Sequence, residues 1–284
     1  MIDLAAWADE EKDPRRRLFR VAVQLVVRAI AQSNELAPVM VMKGGTLLAI
    51  RYGSSRFTKD IDFSTSRKFE NVDLPNLMFE FERAIQSVSA ENESGMALRI
   101  QSHVLQPSNQ KNPTFPTLKI KIGYALRSTQ KQMEHLRRGS SSDVVQIDYS
   151  FNEWECAPAL ETVDGGTLAT YSFHDLMAEK LRSILQQPIR RRERFQDIYD
   201  IVFLLRCVAL ISEKDRAHIL DKLTKSVEGR GVQLGKSAMR DPELERLSKI
   251  GYETELPMLV RDQLPTFEEA FMVVRNFFES LPWD

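Results

Sequence analysis

The segment TKDIDFS, residues 58–64, constrains the fold more than any other part of the chain. Lys59, Ile61 and Phe63 alternate with Asp60 and Asp62. Successive side chains of a strand point to opposite faces, so this pattern sets the two carboxylates on one face and the two large apolar residues on the other. A fold that uses this strand must bury one face and find a use for two carboxylates that repel each other unless a cation lies between them. Just upstream, VMVMKGG (39–45) reads as a short buried strand stopped by glycines, and residues 46–52 read as a helix carrying Leu47, Leu48 and Ile50.

These pieces suit one kind of chemistry. A hard divalent ion such as Mg²⁺, or Mn²⁺ in its place, takes oxygen ligands and leaves room for phosphate oxygens. Gly44 and Gly45 have no side chains to keep backbone N–H groups from phosphates. A helix starting at Thr46 would aim its positive end at the same place, and Thr58 stands just ahead of the carboxylates. The expected ligand is a nucleoside triphosphate with its metal. Gly-Gly pairs and D-x-D triplets each arise by chance, and most D-x-D triplets are solvated strand edges. The order of the two and the helix-length spacer favour the functional reading. A third carboxylate, Asp148 in VVQIDYSF, lies on a predicted strand opposite Val145, Ile147 and Tyr149. It is either an exposed alternating residue or the third acid of a two-metal phosphoryl-transfer site with Asp60 and Asp62.

The remaining pattern divides the 284 residues in two. Helical spacing of apolar residues predicts helices over 14–33 and 74–90, and β-rich stretches follow at 96–106, 117–126 and 144–151 with loop-forming separators at 106–116 and 139–143. Helices dominate from Phe173, over 174–186, 194–209 and 267–281. The expected boundary falls in ETVDGGTLATYS, giving an α/β part over 1–165 and a helical part over 166–284.

Charge and composition narrow the function by exclusion. A net charge of −1 means that any nucleic-acid contact must be local, as at Arg15–Arg17 or at Arg190, Arg191, Arg192 and Arg194. Cys156 and Cys207, the only cysteines, have no metal-ligand spacing and point to a reducing compartment. The N-terminal MIDLAAWADEEKDPRRR lacks the apolar core of a secretory leader, and no apolar run reaches the ~20 residues of a membrane helix, so a cytoplasmic protein without membrane contact is expected. His103, His135, His174 and His218 are scattered, and His174 is expected to cap or pack at a helix start. There is no P-loop or dinucleotide fingerprint.

Gly44-Gly45-Thr46 followed by Asp60-x-Asp62 resembles the signature of polymerase-β-like nucleotidyltransferases, and KGGT…RFTKDIDFS is similar to the AbiEii-type abortive-infection toxins. A second match is LMAEKLRSIL (176–185), then arginines and RFQDIYDIVFLL (194–205). The resemblance covers about residues 39–205 and stops there. It implies an α+β fold: a polymerase-β-like nucleotidyltransferase core with a mixed sheet, followed by a helical C-terminal domain. It also implies a toxin of a toxin–antitoxin or phage-defence system, restrained by a separately encoded antitoxin. The reaction implied is NMP transfer from an NTP to an acceptor, with the 3′ end of tRNA in some members.

Lys180 matches the family lysine and can neutralise triphosphate charge, although the same residue out of context reads as a surface lysine paired with an acid. Asp197 or Asp200, three apart on one helix face, supplies the motif aspartate, with Asp197 preferred. Arg190, Arg191, Arg192 and Arg194 form either a solvated loop or a grip on an RNA backbone. Two other functions compete: a non-catalytic nucleotide- or protein-binding module on the same fold, against which the intact D-x-D argues, and an enzyme that modifies a small molecule such as an antibiotic.

Overall fold

The computed structural model describes residues 2–108, 114–154 and 157–283. Cys156 and part of the expected 106–116 loop lie outside the described residues. The chain divides into two compact units. Unit 1 holds residues 1–51 and 59–170, and unit 2 holds residues 52–58 and 171–284.

Unit 1 is built on a mixed sheet of seven strands among the described residues. They are β1 (Val41–Lys43), β2 (Asp60–Ser64), β3 (Met96–Gln106), β4 (Thr117–Leu126), β5 (Val144–Ser150), β6 (Ala159–Val163) and β7 (Gly166–Thr170), in the order β3-β4-β5-β2-β1-β7-β6. β2 is central. It runs antiparallel to β1 and parallel to β5. Its alternation is realised in space: Ile61 and Phe63 are fully buried, while Asp60 and Asp62 occupy the other face. On β5, Val145, Ile147 and Tyr149 are buried in the same way and leave Gln146 and Asp148 opposite.

Three helices of unit 1 begin with readable signals: α1 (Leu4–Asp9), α2 (Pro14–Gln32) and α4 (Leu74–Glu91) are N-capped by Asp3, Asp13 and Asp73. Proline enters the first turns of α2 and α4, where its missing N–H costs no helical bond. α2 packs against β5 and β7, and α4 against β3. The buried stripe of α2, from Ala22 to Ala31, therefore covers the apolar side of the sheet. α3 (Gly44–Tyr52) follows β1 without an intervening loop. α5 (Gln130–Arg137) seats Leu136 on Ala97 and Ala125 of β3 and β4.

The expected boundary segment, 161–172, holds the last residues of unit 1 and the first of unit 2, and most of it is a β-hairpin. Asp164 and Gly165, both at positive φ, close a hairpin of β6 and β7, and β7 lies parallel to β1. Arg51 of α3 fastens the hairpin, donating to Thr170 Oγ1 at 3.3 Å with Glu161 Oε1 at 3.4 Å. Turn residues inside a tight hairpin and in an interdomain linker look alike in sequence.

Unit 2 is helical: α6 (Phe173–Leu185), α7 (Gln187–Arg190), α8 (Phe195–Cys207), α9 (Glu213–Val227), α10 (Pro242–Thr254), α11 (Leu256–Leu259) and α12 (Phe267–Glu279). Capping boxes at Ser172–Asp175, Ser212–Asp215 and Thr266–Glu269 start α6, α9 and α12. α8 is the hub, touching α6, α10 and α12. His174 packs at the start of α6 as expected, with Nε2 2.9 Å from Asp215 Oδ1 and its ring edge-on to Phe173 and His218. No helix among the described residues is long and apolar enough to cross a membrane.

α10 meets α8 at Gly251, where a Cβ would overlap Cδ1 and Cε1 of Phe195. Helix propensity alone would make Gly251→Ala stabilising by about 1 kcal/mol. Overpacking of a buried ring costs roughly 1–3 kcal/mol, so the clash wins. Gly251→Ala is expected to lower Tm by several degrees in a thermal melt; an unchanged or higher Tm would contradict this packing.

Candidate functional site

The site is assembled from β1, α3, β2 and β5 of unit 1. β1 is three residues long and ends in Lys43; Gly44 then turns the chain at φ 73 into α3. That left-handed conformation favours glycine, and a second constraint makes glycine necessary. A Cβ at position 44 would collide with Asp62 Oδ2 and come within 2.7 Å of its Cγ. The backbone at the start of α3 therefore lies directly against the Asp62 carboxylate. Thr46 fixes the arrangement by donating its hydroxyl to the Asp60 carbonyl at 2.7 Å. The fully apolar side chains of Leu47 and Leu48 bury the next turn.

Asp60 pairs in register with Gln146 and Asp62 with Asp148 on the parallel neighbour β5, so Asp60, Asp62 and Asp148 share one face of the sheet. Neighbouring strands lie about 4.8 Å apart. Lysines flank the carboxylates. Lys43 stands beside Asp62 on β1, itself buried and 3.9 Å from Glu153 Oε1. Lys119 stands beside Asp148 on β4, with Nζ 3.1 Å from Asp148 Oδ2, and Gln146 Nε2 donates to Asp148 Oδ1 at 2.8 Å.

The donor set offers carboxylate oxygens, which suits a hard divalent cation, and glycine at 44 lets the Asp62 carboxylate occupy the place a side chain would take. Asp60 and Asp62 fit such an ion. Among the described residues, no three His, Cys, Asp or Glu side chains converge as a ready metal-holding group. Asp148 shares the face, but its carboxylate is engaged by Lys119 and Gln146.

The second motif forms its own cluster within unit 2. Lys180 on α6 donates to Asp200 Oδ2 at 2.6 Å and to Asp197 Oδ1 at 3.0 Å on α8. Arg56, from residues 52–58, meets Asp200 as a two-point fork, Nε to Oδ1 and Nη2 to Oδ2, both at 2.7 Å. Phe57 N–H and Ser55 Oγ bind Leu259 O and Asp262 Oδ2 in the same unit. Asp200 is fully buried and Lys180 nearly so. Burial alone would raise the Asp200 pKa, but Arg56 and then Lys180 outweigh it and hold the carboxyl below its usual range. Burial likewise pulls Lys180 down, and the attraction of Asp200 and Asp197 more than restores it, so the ammonium stays charged.

The two motif aspartates are thus distinct. Asp197 touches Lys180 from a partly accessible position, while Asp200 is the buried keystone between Lys180 and Arg56. Thr58, expected beside the phosphates, belongs with this second unit. Arg190, Arg191 and Arg192 are exposed at the end of α7 and after it, with Arg191 at φ 50. Arg194 is half-buried, and its N–H donates to Gln187 Oε1.

Sequence reasoning missed Arg56, Lys43 and Lys119 as the charged partners of the carboxylates. Arg56 left no periodic signal because it sits in an irregular segment. For Lys119 the alternation of TLKIKIG was the available clue, since it places Lys119 and Lys121 opposite the buried Leu118, Ile120 and Ile122. The register that brings Lys119 to Asp148 is not written in either strand.

Removing Asp200 would take the two-point carboxylate partner from the buried Arg56 and leave Lys180 with Asp197 alone, and breaking such a buried pair costs about 3–5 kcal/mol. Asp200→Ala is therefore expected to melt far below the parent, and Asp197→Ala, which leaves Lys180 paired with Asp200, much closer to it. Because the folded pKa of Asp200 lies below its unfolded value, the gap persists from neutral pH to about pH 5 and narrows only in stronger acid. Equal melts for the two variants would contradict the assignment.

The sequence matches the model of the family described as nucleotidyl transferase AbiEii toxin, type IV TA system, over residues 26–273. That range extends past residue 205 through most of the helices whose sequence resembled nothing. No curated protein matches. Among solved structures the chain is similar to MenT4, a nucleotidyltransferase toxin from Mycobacterium tuberculosis H37Rv, with a TM-score of 0.52, 16% identity, and coverage of 98% of this chain and 89% of that one. It is similar also to JHP933 from Helicobacter pylori, with a TM-score of 0.51, 15% identity, and coverage of 95% and 94%. At such identities the likeness to these two is one of fold.

Proposed function

The chain belongs to the AbiEii nucleotidyltransferase toxin family, and we propose that it is a Mg²⁺-dependent toxin that transfers NMP from an NTP to the 3′ end of an RNA, with tRNA as the acceptor. The observation that carries the reading is the approach of the Gly44 backbone to the Asp62 carboxylate, with Asp60 on the same strand face. Phosphoryl transfer needs little covalent help from a protein; it needs positioning and charge.

Each residue then has a part. Asp60 and Asp62 hold the divalent ion, which, when bound, neutralises triphosphate charge and makes the acceptor hydroxyl more acidic. Gly44, Gly45 and Thr46 open α3, whose first-turn N–H groups have no acceptor inside the helix and suit phosphate oxygens. Asp148, in register with Asp62, serves the acceptor side and takes the proton of the attacking hydroxyl. Lys180 and Asp197 carry the family's second motif, and NTP use depends on them. Arg190, Arg191, Arg192 and Arg194 grip the acceptor backbone, which a net charge of −1 permits because only a few phosphates need be met. A separately encoded antitoxin restrains the activity, which is exercised in the cytoplasm and, in this reading, against phage.

The test is incubation of the purified chain with α-labelled NTPs, Mg²⁺ and total RNA. Label is expected on tRNA 3′ ends, with a loss of roughly 10²-fold or more in Asp60→Ala and in Asp62→Ala. Label on a small molecule or a protein would replace the acceptor and keep the transfer. Absence of both label and pyrophosphate for every NTP would leave a binding module and contradict the proposal.

A companion experiment addresses the acceptor. RNA labelling is expected to fall steeply with added salt, and serine at positions 190–192 is expected to weaken it without changing NTP affinity. Equal labelling by that triple variant at all salt concentrations would remove these arginines from the acceptor site.

A further inference from the structure

A single row of side chains crosses the sheet of unit 1 at the level of Asp62. In spatial order it reads Lys43 on β1, Asp62 on β2, Asp148 on β5 and Lys119 on β4. Like charges directly opposite each other destabilise a sheet, and the central Asp62–Asp148 neighbours are such a pair. The row places a lysine outside each of them. The two lysines are not equivalent. Lys43 is buried and lies near Glu153. The Lys119 side chain is 36% exposed and lies against Asp148, whose own side chain is 20% exposed.

Both oxygens of Asp148 are engaged, Oδ2 by Lys119 Nζ at 3.1 Å and Oδ1 by Gln146 Nε2 at 2.8 Å. Gln146 precedes Asp148 by two residues on the same face, so its amide swings with local side-chain torsions alone. Lys119 is a point charge on a flexible four-carbon stem whose end reaches solvent. An ion pair that open holds its partner weakly and is exchangeable. A divalent cation carries twice the charge in a smaller radius and competes well for a carboxylate held this way.

We propose that Lys119 is the resident counter-cation of Asp148: it holds the third carboxylate in register beside Asp62 while no divalent cation is bound, and gives it up when one is. Lys119 is in this account a positioning residue. The proposal rests on the metal reading of Asp60 and Asp62 given above. It also accounts for a sheet face that carries three carboxylates without three of them converging. Because the lysine must be displaced, the price of its order is a weaker site for the free ion. The lysine thus sets the threshold at which the third carboxylate joins the other two.

The test is direct titration of the full-length chain with Mn²⁺, without NTP, following free Mn²⁺ by electron paramagnetic resonance. Parent, Lys119→Met, Lys119→Gln, Lys119→Arg and Asp62→Asn are compared, with folding checked by circular dichroism. Lys119→Met and Lys119→Gln are expected to tighten Mn²⁺ binding on the order of tenfold, the scale on which one neighbouring like charge biases an ionic equilibrium. Lys119→Arg, which keeps the charge, is expected to stay near the parent. Tightening must vanish when Asp62→Asn is added. Parent-like affinity in both neutral variants, with Asp62-dependent binding intact, would overturn the Lys119 inference and spare the metal reading. No Asp62-dependent Mn²⁺ binding in the parent would overturn both.

Discussion

The structure of unit 1 depends on β2 being buried on one face only. Ile61 and Phe63 are excluded from water between β1 and β5, and the period of two then leaves no choice about Asp60 and Asp62. A slip of one residue would bury two carboxylates and expose two large apolar side chains, so the register is strongly specified. Ile147 and Tyr149 impose the same condition on β5 and deliver Asp148 to the same face. The carboxylate surface is a consequence of core packing. It needs no unfavourable local backbone beyond Gly44, where glycine removes the cost.

Unit 2 solves a different electrostatic problem. Asp200 is removed from water, which is expensive for a lone carboxylate, and two cations offset that expense through three short contacts. One of the cations, Arg56, comes from the seven-residue segment that ends two residues before Asp60 in the chain. The motif string around the D-x-D therefore contains residues of both units: Arg56 and Thr58 go with the helices, Asp60 and Asp62 with the sheet.

Much of this was legible in the sequence because local rules carried it. Alternation gave β2 and β5 with the correct faces, and the 3.6-residue stripe gave α2, α4, α6, α8 and α12 to within a residue or two. The mixed α+β sheet fold and the nucleotidyltransferase family followed from the two motifs read in order. What stayed hidden was set by tertiary pairing. The β6–β7 hairpin was not read as strands, because the turn residues that close it mark a boundary equally well. α9 and α10 carry many charges among their apolar positions, and no helix was read there. The partners of the carboxylates were invisible because Lys119 and Arg56 are remote in sequence from Asp148 and Asp200.

The central claim is that Asp60 and Asp62, set against the Gly44 turn, hold the divalent ion of a nucleotidyltransferase. A crystal of the full-length chain grown with Mn²⁺ and a non-hydrolysable NTP analogue tests this most directly, read through the anomalous signal of manganese. The account predicts a peak within ligand distance, about 2.0–2.2 Å, of carboxylate oxygens of both Asp60 and Asp62, with the triphosphate beside the first turn of α3. A fully occupied peak bound elsewhere, with both carboxylates bare, would contradict it.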